Sequence, residues 1–274
     1  MARYRARRSS DSSSDEPEDA DVAAAAPITD ASWAGSEDAP ILARLQTAEI
    51  VACEQIPQGS NYGFVVGLSD AGTDIDLLAV YKPRRGEAPL WDFPDGTLYK
   101  REYAAYLAAT AMGWRFVPPT VIREGPYGIG SVQLCIRARP RSYYQEWRRQ
   151  HGDALMRVAV FDYVTNNADR KAAHCLLDEQ DRVWAIDHGL TFNVDPKLRT
   201  VIREFSGDPL PDWLSAELQA FAGCDEARQG LNSRLRPLLH PTEIKAFATR
   251  LERVMKWRVF PRLDRYDSVP REWW

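Results

Sequence analysis

Hydrophobic and polar positions alternate over short distances in the first half of the chain and follow a helical period in the second half. Short β-prone segments begin near Ile41, and the apolar run 77–81 is typical of a buried strand. The turn 59–63 separates two such segments, and residues 117–139 return to a β-like pattern. Strands are therefore expected to dominate residues 41–140.

Three helices are predicted with recognisable ends. Residues 98–112 form a helical segment that follows a Pro- and Gly-rich loop and ends at Gly113, a residue suited to the turn after a helix. Asp153 can cap a second helix, which carries apolar residues at helical spacing. Pro241 stands at the first position of a late amphipathic helix.

The second half of the chain is predicted to be mostly helical. Two short β-like pieces, near 175–177 and 182–186, interrupt it. A β-rich N-lobe over 41–140 and a helical C-lobe over 141–274 together predict an α+β fold with a cleft between two lobes.

Charge is distributed unevenly along the chain. Residues 1–40 contain four Arg against nine Asp and Glu, a net charge of −5, which leaves the remainder at +1 of the total of −4. The acidic segment is poor in apolar residues, so we predict a disordered tail over 1–40. The nearly neutral body does not favour binding to nucleic acid or to an anionic membrane.

Cysteine usage and hydropathy predict a cytoplasmic protein. The four cysteines are far apart and form no C-x-x-C pair, which is typical of reduced thiols. The basic start leads into Ser and Asp rather than into an apolar core, so no signal peptide is predicted. No apolar run of 18 residues occurs, and stable membrane insertion is not expected.

The strongest chemical signal lies in residues 161–189. A helix ends in a polar loop that contains Asp169, and a short apolar strand then leads to Asp187, two residues before Gly189. Phosphoryl transfer from ATP needs one carboxylate near the acceptor hydroxyl, a second on the metal that bridges the phosphates, and cations that hold the nucleotide. Asp169 suits the first role and Asp187 the second, because a strand followed by Asp-His-Gly presents a carboxylate at a rigid turn.

This stretch resembles the catalytic and metal-binding loops of phosphatidylinositol 3- and 4-kinases, in particular those of related bacterial proteins. HipA-type toxin kinases of the same superfamily have similar loops. The resemblance covers roughly 41–213 and implies a two-lobed protein-kinase-like fold of the phosphatidylinositol-kinase type, with ATP and Mg²⁺ or Mn²⁺ as cofactors. The residues that carry it are Asp162, Tyr163, Asn167, Asp169, Arg170, Asp187, His188 and Gly189.

The resemblance also implies a nucleotide site. Lys82 would be the strand lysine that contacts the α- and β-phosphates, and Glu102 its ion-pair partner on the following helix. The small turn Gly59, Ser60 and Asn61 would cover the phosphates.

Two positions depart from the family pattern. Lys171 stands where lipid kinases have His, and His174 stands where kinases have an Asn that ligates the second metal. Under the kinase hypothesis His174 assists Asp187 on the metal and Lys171 offsets charge on the transferred group. Arg170 either braces the catalytic loop or pairs with a phosphate.

Structural interpretations compete with each of these assignments. Lys82 can extend to solvent from a strand end, and Glu102 can lie on a solvated helix face. His174 and His188 can be buried histidines that bond to carbonyls, the favoured interpretation for His188. Arginines interleaved with aromatic residues over 137–149 can grip phosphates, but a solvated amphipathic segment is favoured.

Glycine patterns exclude two other nucleotide folds. Gly125, Gly128 and Gly130 follow the order G-x-x-G-x-G with no helix behind them, which favours a β-hairpin over a dinucleotide fingerprint. No G-x-x-x-x-G-K-[ST] run is present, which excludes a standard P-loop.

The sequence thus predicts an ATP-dependent phosphotransferase and leaves three alternatives open. A pseudokinase would bind nucleotide without turnover, a nucleotidyl transferase would release different products, and an adaptor would use the Trp-rich surface. A protein or small-molecule hydroxyl ranks ahead of a lipid as acceptor, because no amphipathic basic helix or polybasic stripe is present.

Overall fold

The structure is a computed structural model, and it describes residues 38–57, 61–72, 74–264 and 266–270. Residues 1–37 of the predicted acidic tail lie outside the described residues, as do Gly59 and Ser60 of the predicted phosphate-covering turn.

The N-terminal half is built on an antiparallel sheet. Within the described residues five strands lie in the order β1-β2-β3-β5-β4. The central strand places Ala79 and Tyr81 on its buried face and Lys82 on the opposite face, because neighbouring side chains alternate. β4 and β5 form the hairpin predicted from the glycine pattern. The strands are β1 (Glu49–Gln55), β2 (Phe64–Ser69), β3 (Leu77–Pro83), β4 (Thr120–Gly125) and β5 (Gly128–Leu134).

A helix precedes the sheet at positions where the sequence predicted β-prone segments. Helix α1 (Ala39–Thr47) has Pro40 in its first turn and buries Leu42 and Leu45. Their three-residue spacing fits one helical face, and proline is compatible with the first turn of a helix. The prediction that the ordered part opens with strands near Ile41 is therefore wrong.

Helix α2 (Leu98–Ala111) connects β3 to β4 and confirms the predicted helix at 98–112. Gly113 follows it with a positive φ of 74°, a conformation that glycine adopts without strain. The carboxylate of Glu87 accepts hydrogen bonds from the first backbone N–H groups, Leu98 at 3.0 Å and Tyr99 at 2.8 Å. These bonds satisfy donors that have no partner within the helix.

The C-terminal half is helical and carries a small hairpin, as predicted. The described helices there are α3 (Tyr144–Trp147), α4 (Gly152–Thr165), α5 (Asp212–Gly223), α6 (Asp225–Leu235) and α7 (Pro241–Trp257). The hairpin pairs β6 (Cys175–Leu177) with β7 (Val183–Ala185).

Two predictions for this half need correction. Asp153 does not cap α4, because the cap position is His151 and Asp153 lies in the first turn, where a carboxylate is favourable beside the helix N-terminus. Residues 186–211 contain neither a regular helix nor a regular strand. Short backbone bridges hold this segment instead, including a pairing of Thr200 with Arg170.

The two lobes share one contiguous hydrophobic cluster. Phe116 precedes β4 and packs edge to face against Phe161 of α4, with ring centroids 5.4 Å apart. Arg101 of α2 forms a buried ion pair with Glu243 of α7 at 2.7 Å. Helix α2 is therefore anchored to both lobes.

No helix in the described ranges combines the length and apolar character needed to cross a membrane.

Candidate active site

Lys82 lies at the junction of the lobes and contacts two carboxylates. Its Nζ bonds to Glu102 of α2, which is the ion pair that the sequence predicted. It also lies 2.9 Å from Oδ1 of Asp187. Burial opposes the lysine charge, but the two carboxylates outweigh it and raise the pKa of Lys82. The lysine is therefore held in its charged form beside the cleft.

Asp187 lies just after β7 in a left-handed backbone conformation, with φ of 60°. Such a conformation is uncommon for a residue other than glycine and concentrates at functional sites. Burial opposes ionisation of the carboxyl group, but the Lys82 ammonium holds its pKa well below the ordinary value. Asp187 is thus an anion over the whole physiological pH range.

His174 links the Asp187 carboxylate to the backbone of Asp169. Its Nε2 lies 3.2 Å from Oδ2 of Asp187, and its Nδ1 lies 3.0 Å from the backbone carbonyl of Asp169. The backbone N–H of Lys171 is a more distant neighbour of Nδ1, at 3.4 Å. Burial is the main cause that lowers the pKa of His174 to about 4, so the imidazole is neutral at pH 7.

The protonation of His174 suits a metal ligand. A neutral imidazole carries a single proton, and both of its closest neighbours are acceptors. With the proton on Nδ1, the Asp169 carbonyl is satisfied and the Nε2 lone pair faces Oδ2 of Asp187. In the other tautomer Nε2–H donates to Asp187 and Nδ1 accepts from the Lys171 N–H, so a bound metal ion would select the first form. Metal-binding histidines usually make this bond to a carbonyl through their other nitrogen.

The loop 166–171, which the sequence predicts to be the catalytic loop, is fixed by its asparagines. Asn166 ends α4 in a left-handed conformation, and its side-chain amide donates to the carbonyls of Asn193 and Asp195. Oδ1 of Asn167 accepts from the backbone N–H of Asp169 at 2.9 Å. The Asp169 side chain is about a quarter exposed (27%), and Lys171 pairs with it at 3.2 Å. Asp169 therefore presents a carboxylate to the cleft from a rigid loop.

Arg170 is fully buried and points away from the cleft. It pairs with Asp162 of α4, and both side chains have no exposed surface. It also donates to the carbonyl of Ile186 at 2.6 Å and contacts Nε2 of His188 at 2.8 Å. Of the two roles that the sequence left open, this geometry fits bracing of the loop and not contact with a phosphate.

His188 has the surroundings of a structural histidine. Its backbone N–H donates to Oε2 of Glu102 at 2.8 Å, and its ring accepts from Arg170. Burial and the neighbouring arginine charge lower the pKa of His188 well below its ordinary value. The histidine thus couples the ion pair of α2 to the catalytic loop.

The Asn61 side chain makes a hydrogen bond that the sequence did not predict. Its Oδ1 accepts from the backbone N–H of Ala88 at 2.7 Å, which joins the turn to the β3-α2 loop. Gly59 and Ser60 lie outside the described residues, so the predicted phosphate-covering role of this turn stays a prediction.

The arginine- and aromatic-rich segment 137–149 packs into the C-lobe. Tyr144 and Trp147 are buried and meet edge to face at 5.4 Å. Arg148 pairs with Glu204 at 3.5 Å. These contacts support the favoured interpretation of an amphipathic segment.

The sequence analysis assigned no role to three side chains that organise the site, although Asp162 belongs to the motif that carries the resemblance. Asp162 holds Arg170, Glu87 satisfies the start of α2, and Arg101 anchors that helix. The signal available for Arg101 was a single arginine directly before Glu102 in an alanine-rich helix. Glu87 has no local signal, because its role depends on partners that only the folded chain brings near.

The donor set is compatible with a divalent metal that arrives with phosphates. Within the described residues no group of three or more His, Cys, Asp or Glu side chains is placed to hold a metal ion. Asp187 and His174 would supply two ligands, and Mg²⁺ is commonly held by one or two protein ligands together with substrate phosphates and water.

Solved structures identify the fold as protein-kinase-like. The structure of hydra Fam20 with sugar matches 81% of this chain and 88% of its own at a TM-score of 0.56, with 16% sequence identity. The Golgi casein kinase matches 79% of this chain and 74% of its own at a TM-score of 0.53, with 18% identity. A second structure of that kinase, with Mn/ADP bound, matches at a TM-score of 0.51 and 17% identity.

Sequence comparison finds similarity to a mycobacterial protein. No family model matches the chain. Protein Rv2133c of Mycobacterium tuberculosis is 38% identical over 230 residues, which cover 71% of this chain and 82% of that protein. Identity at this level over most of both chains shows common descent. The chain therefore belongs to the same protein family as Rv2133c.

Proposed function

We propose that this protein is an ATP-dependent phosphotransferase that moves the γ-phosphoryl group to a hydroxyl acceptor. The observation that carries the proposal is the convergence of Lys82, Glu102, Asp187 and His174 on one point of a kinase-like fold. A structural neighbour with Mn/ADP bound supports nucleotide and divalent metal as cofactors, with Mg²⁺ as the alternative to Mn²⁺.

Each residue of the site has its own role in the proposed phosphoryl transfer. Asp169 positions the acceptor hydroxyl and takes its proton, while Lys82 holds the phosphates by charge. The acceptor oxygen forms a bond to the γ-phosphorus, the bond from that phosphorus to the β–γ bridging oxygen breaks, and ADP leaves with the electron pair. Asp187 and His174 would hold the metal, which neutralises phosphate charge when bound. Lys171 lies beside Asp169, where it would offset negative charge on the transferred group.

Arg170 and His188 act through other residues in this proposal. Arg170 fixes the backbone on both sides of the site, at Ile186 and through Asp162. We therefore assign it a positioning role.

The finer family placement rests on the loop motif. The spacing of Asp169, Arg170 and Asp187 supports a relationship to the phosphatidylinositol 3-/4-kinase-related group. An intracellular protein acceptor is the substrate that we favour, and the lobes would divide near residue 140.

Thermal unfolding with and without ATP and Mn²⁺ or Mg²⁺ tests the nucleotide site. A ligand at one hundred times its dissociation constant stabilises the folded state by about 2.7 kcal/mol, so a clear rise in Tm is expected. Asp187→Asn should abolish the metal-dependent part of the rise. A wild-type Tm that does not respond to saturating nucleotide and metal would overturn the proposal.

Product analysis separates the catalytic alternatives. Phosphoryl transfer releases ADP, whereas nucleotidyl transfer releases pyrophosphate. Asp169→Asn should lower turnover at least about tenfold without removing the thermal shift, because a general base contributes about 10²–10⁴-fold. Binding without any product would identify a pseudokinase.

A further inference from the structure

The loop between β3 and α2 exposes a tryptophan beside the candidate catalytic carboxylate. Trp91 is 90% exposed, whereas Phe93, two residues later, is buried. Tryptophan is highly buried on average in folded proteins. A side chain of this size held in solvent therefore calls for a functional explanation.

Packing places this loop against the catalytic loop. Phe93 and Leu98 form a small hydrophobic cluster with Ala168, the residue directly before Asp169. Leu90 and Leu190 pack against the same cluster. Trp91 lies between Leu90 and Phe93 in sequence, so the loop that exposes it packs beside the segment that carries Asp169.

Polar contacts fix the residue that follows Trp91. The Asp92 carbonyl accepts from the side-chain amide of Asn193 at 2.6 Å, and the Asp92 carboxylate pairs with Lys197 at 2.9 Å. The Lys197 ammonium lies 4.8 Å from the centroid of the Trp91 ring. Asn166, at the end of α4, holds the Asn193 carbonyl at 2.9 Å. The loop that carries Trp91 is thus fixed at Asp92 and loses little conformational entropy when a ligand binds.

Apolar and acidic residues are exposed on the two segments that meet at Asp92, and Arg85 lines a cavity together with Pro94 and Asp95. Val194 is 47% exposed and follows Asn193, which bonds to the residue after Trp91. We call this group the Trp91 surface; its members are Trp91, Pro94, Asp95, Val194, Asp195 and Pro196, all of them exposed. The nearby Lys197 is paired with Asp92, so the surface offers carboxylates and apolar contact.

We propose that the Trp91 surface docks a polypeptide acceptor, in which an apolar or aromatic side chain packs on the indole and a basic residue faces Asp95 and Asp195. Exposed apolar patches with a polar rim mark protein interaction sites, and tryptophan is enriched among residues that dominate binding energy. The proposal rests on the proposed function, because the docked segment presents a Ser or Thr hydroxyl to Asp169. The hydroxyl proton then passes to Asp169 as the oxygen bonds to the γ-phosphorus of ATP and ADP leaves.

The test is phosphorylation of a Ser- and Thr-containing peptide library by the full chain with ATP and Mn²⁺. The wild type should select peptides with an apolar or aromatic residue and a basic residue near the acceptor. Trp91→Ala should remove the apolar selection and lower kcat/KM for the best peptide about tenfold or more, mainly through KM. Trp91→Phe should retain much of the selection, because an aromatic ring remains.

Trp257→Ala is the matched control. Trp257 is also a largely exposed tryptophan (60%), but it lies at the end of α7 beside residues of the C-terminal segment such as Phe260. This variant should show the wild-type peptide selection. Thermal unfolding without ligand should give the same Tm for all variants, because exposed rings contribute little to the core.

The outcomes separate the two proposals. A nucleotide-dependent thermal shift together with selection that is lost in Trp91→Ala supports peptide docking. A normal thermal shift with no peptide phosphorylated, or with equal selection in wild type and Trp91→Ala, overturns docking and leaves the nucleotide site standing. Absence of the thermal shift in wild type removes the proposed function and the docking proposal with it.

Discussion

At the scale of single residues, the two neighbours of the Asp187 carboxylate differ in the protons that they can donate. Lys82 donates to both Glu102 and Asp187, so its charge is shared between the strand, the helix and the turn after β7. On the other side of Asp187, a neutral His174 meets acceptors at both ring nitrogens. The lysine side is complete, whereas the histidine side is suited to receive a cation.

This arrangement predicts a change in metal preference when His174 is replaced by Asn, the residue that kinases usually have there. An imidazole nitrogen is a better ligand for transition metals than for Mg²⁺, whereas an amide oxygen suits Mg²⁺. We expect His174→Asn to lower the ratio of Mn²⁺-supported to Mg²⁺-supported ATP turnover several-fold. Turnover titrated with each metal measures that ratio, and His151→Asn, at a histidine that pairs with Asp181 outside the site, is the control. An unchanged ratio would remove His174 from the metal site.

At the scale of elements, helix α2 is held in position by two adjacent residues that contact different partners. Glu102 reaches Lys82 and the backbone of His188. Its neighbour Arg101 reaches Glu243 of α7 and the carbonyl of Thr191 at 2.6 Å. In kinases the lysine–glutamate pair must be in place for catalysis, and movement of this helix is a means of control. Here the anchoring by α7 favours a helix that stays in the paired position.

Glu243→Gln tests this anchoring. The amide keeps an oxygen that can accept from the backbone N–H of His240, but it leaves the Arg101 charge buried without a carboxylate. Breaking a buried pair in this way costs about 3–5 kcal/mol. We expect the free energy of unfolding, measured by urea denaturation, to fall by that amount. Arg44→Gln, at a partly exposed pair with Asp70, should change stability by about 1 kcal/mol or less; equal losses in the two variants would contradict the anchoring.

The same elements show how far sequence reasoning extends. Lys82, Glu102, Asp169 and Asp187 were predictable because each lies in a local motif whose strand, helix or loop was also predictable. The Arg101–Glu243 pair joins residues 142 positions apart, and nothing local to either residue indicates the other. Helix α1 was missed because two buried leucines in nine residues give a weak periodic signal. Trp91 has no motif, since its significance comes from its exposure beside Ala168.

At the scale of the whole molecule, the two lobes share their core. A contiguous cluster of buried side chains runs from the sheet through α2 to the C-terminal helices, and includes Val66, Leu107, Phe161 and Leu235. Helix α2 contributes buried residues to both sides, so neither lobe can expose its part of the cluster without exposing the other's. The lobe boundary that the sequence predicts near residue 140 separates a β-rich from a helical part of the chain, and it does not separate two hydrophobic cores.

A shared core predicts a single cooperative unfolding transition. Far-UV circular dichroism reports mainly the helices of the C-lobe, whereas an extrinsic fluorophore on Cys53, an exposed thiol of β1, reports the sheet. We expect both signals to change at the same urea concentration, because coincident transitions are the signature of two-state unfolding. Saturating ATP and Mn²⁺ should move both midpoints equally, since the proposed nucleotide site lies where the lobes meet. The same label on Cys224, an exposed thiol after α5, is the matched control for any effect of the dye.

Two separated transitions would mean that α2 leaves one lobe before the other unfolds. The anchoring through Arg101 would then be too weak to keep the lysine–glutamate pair closed.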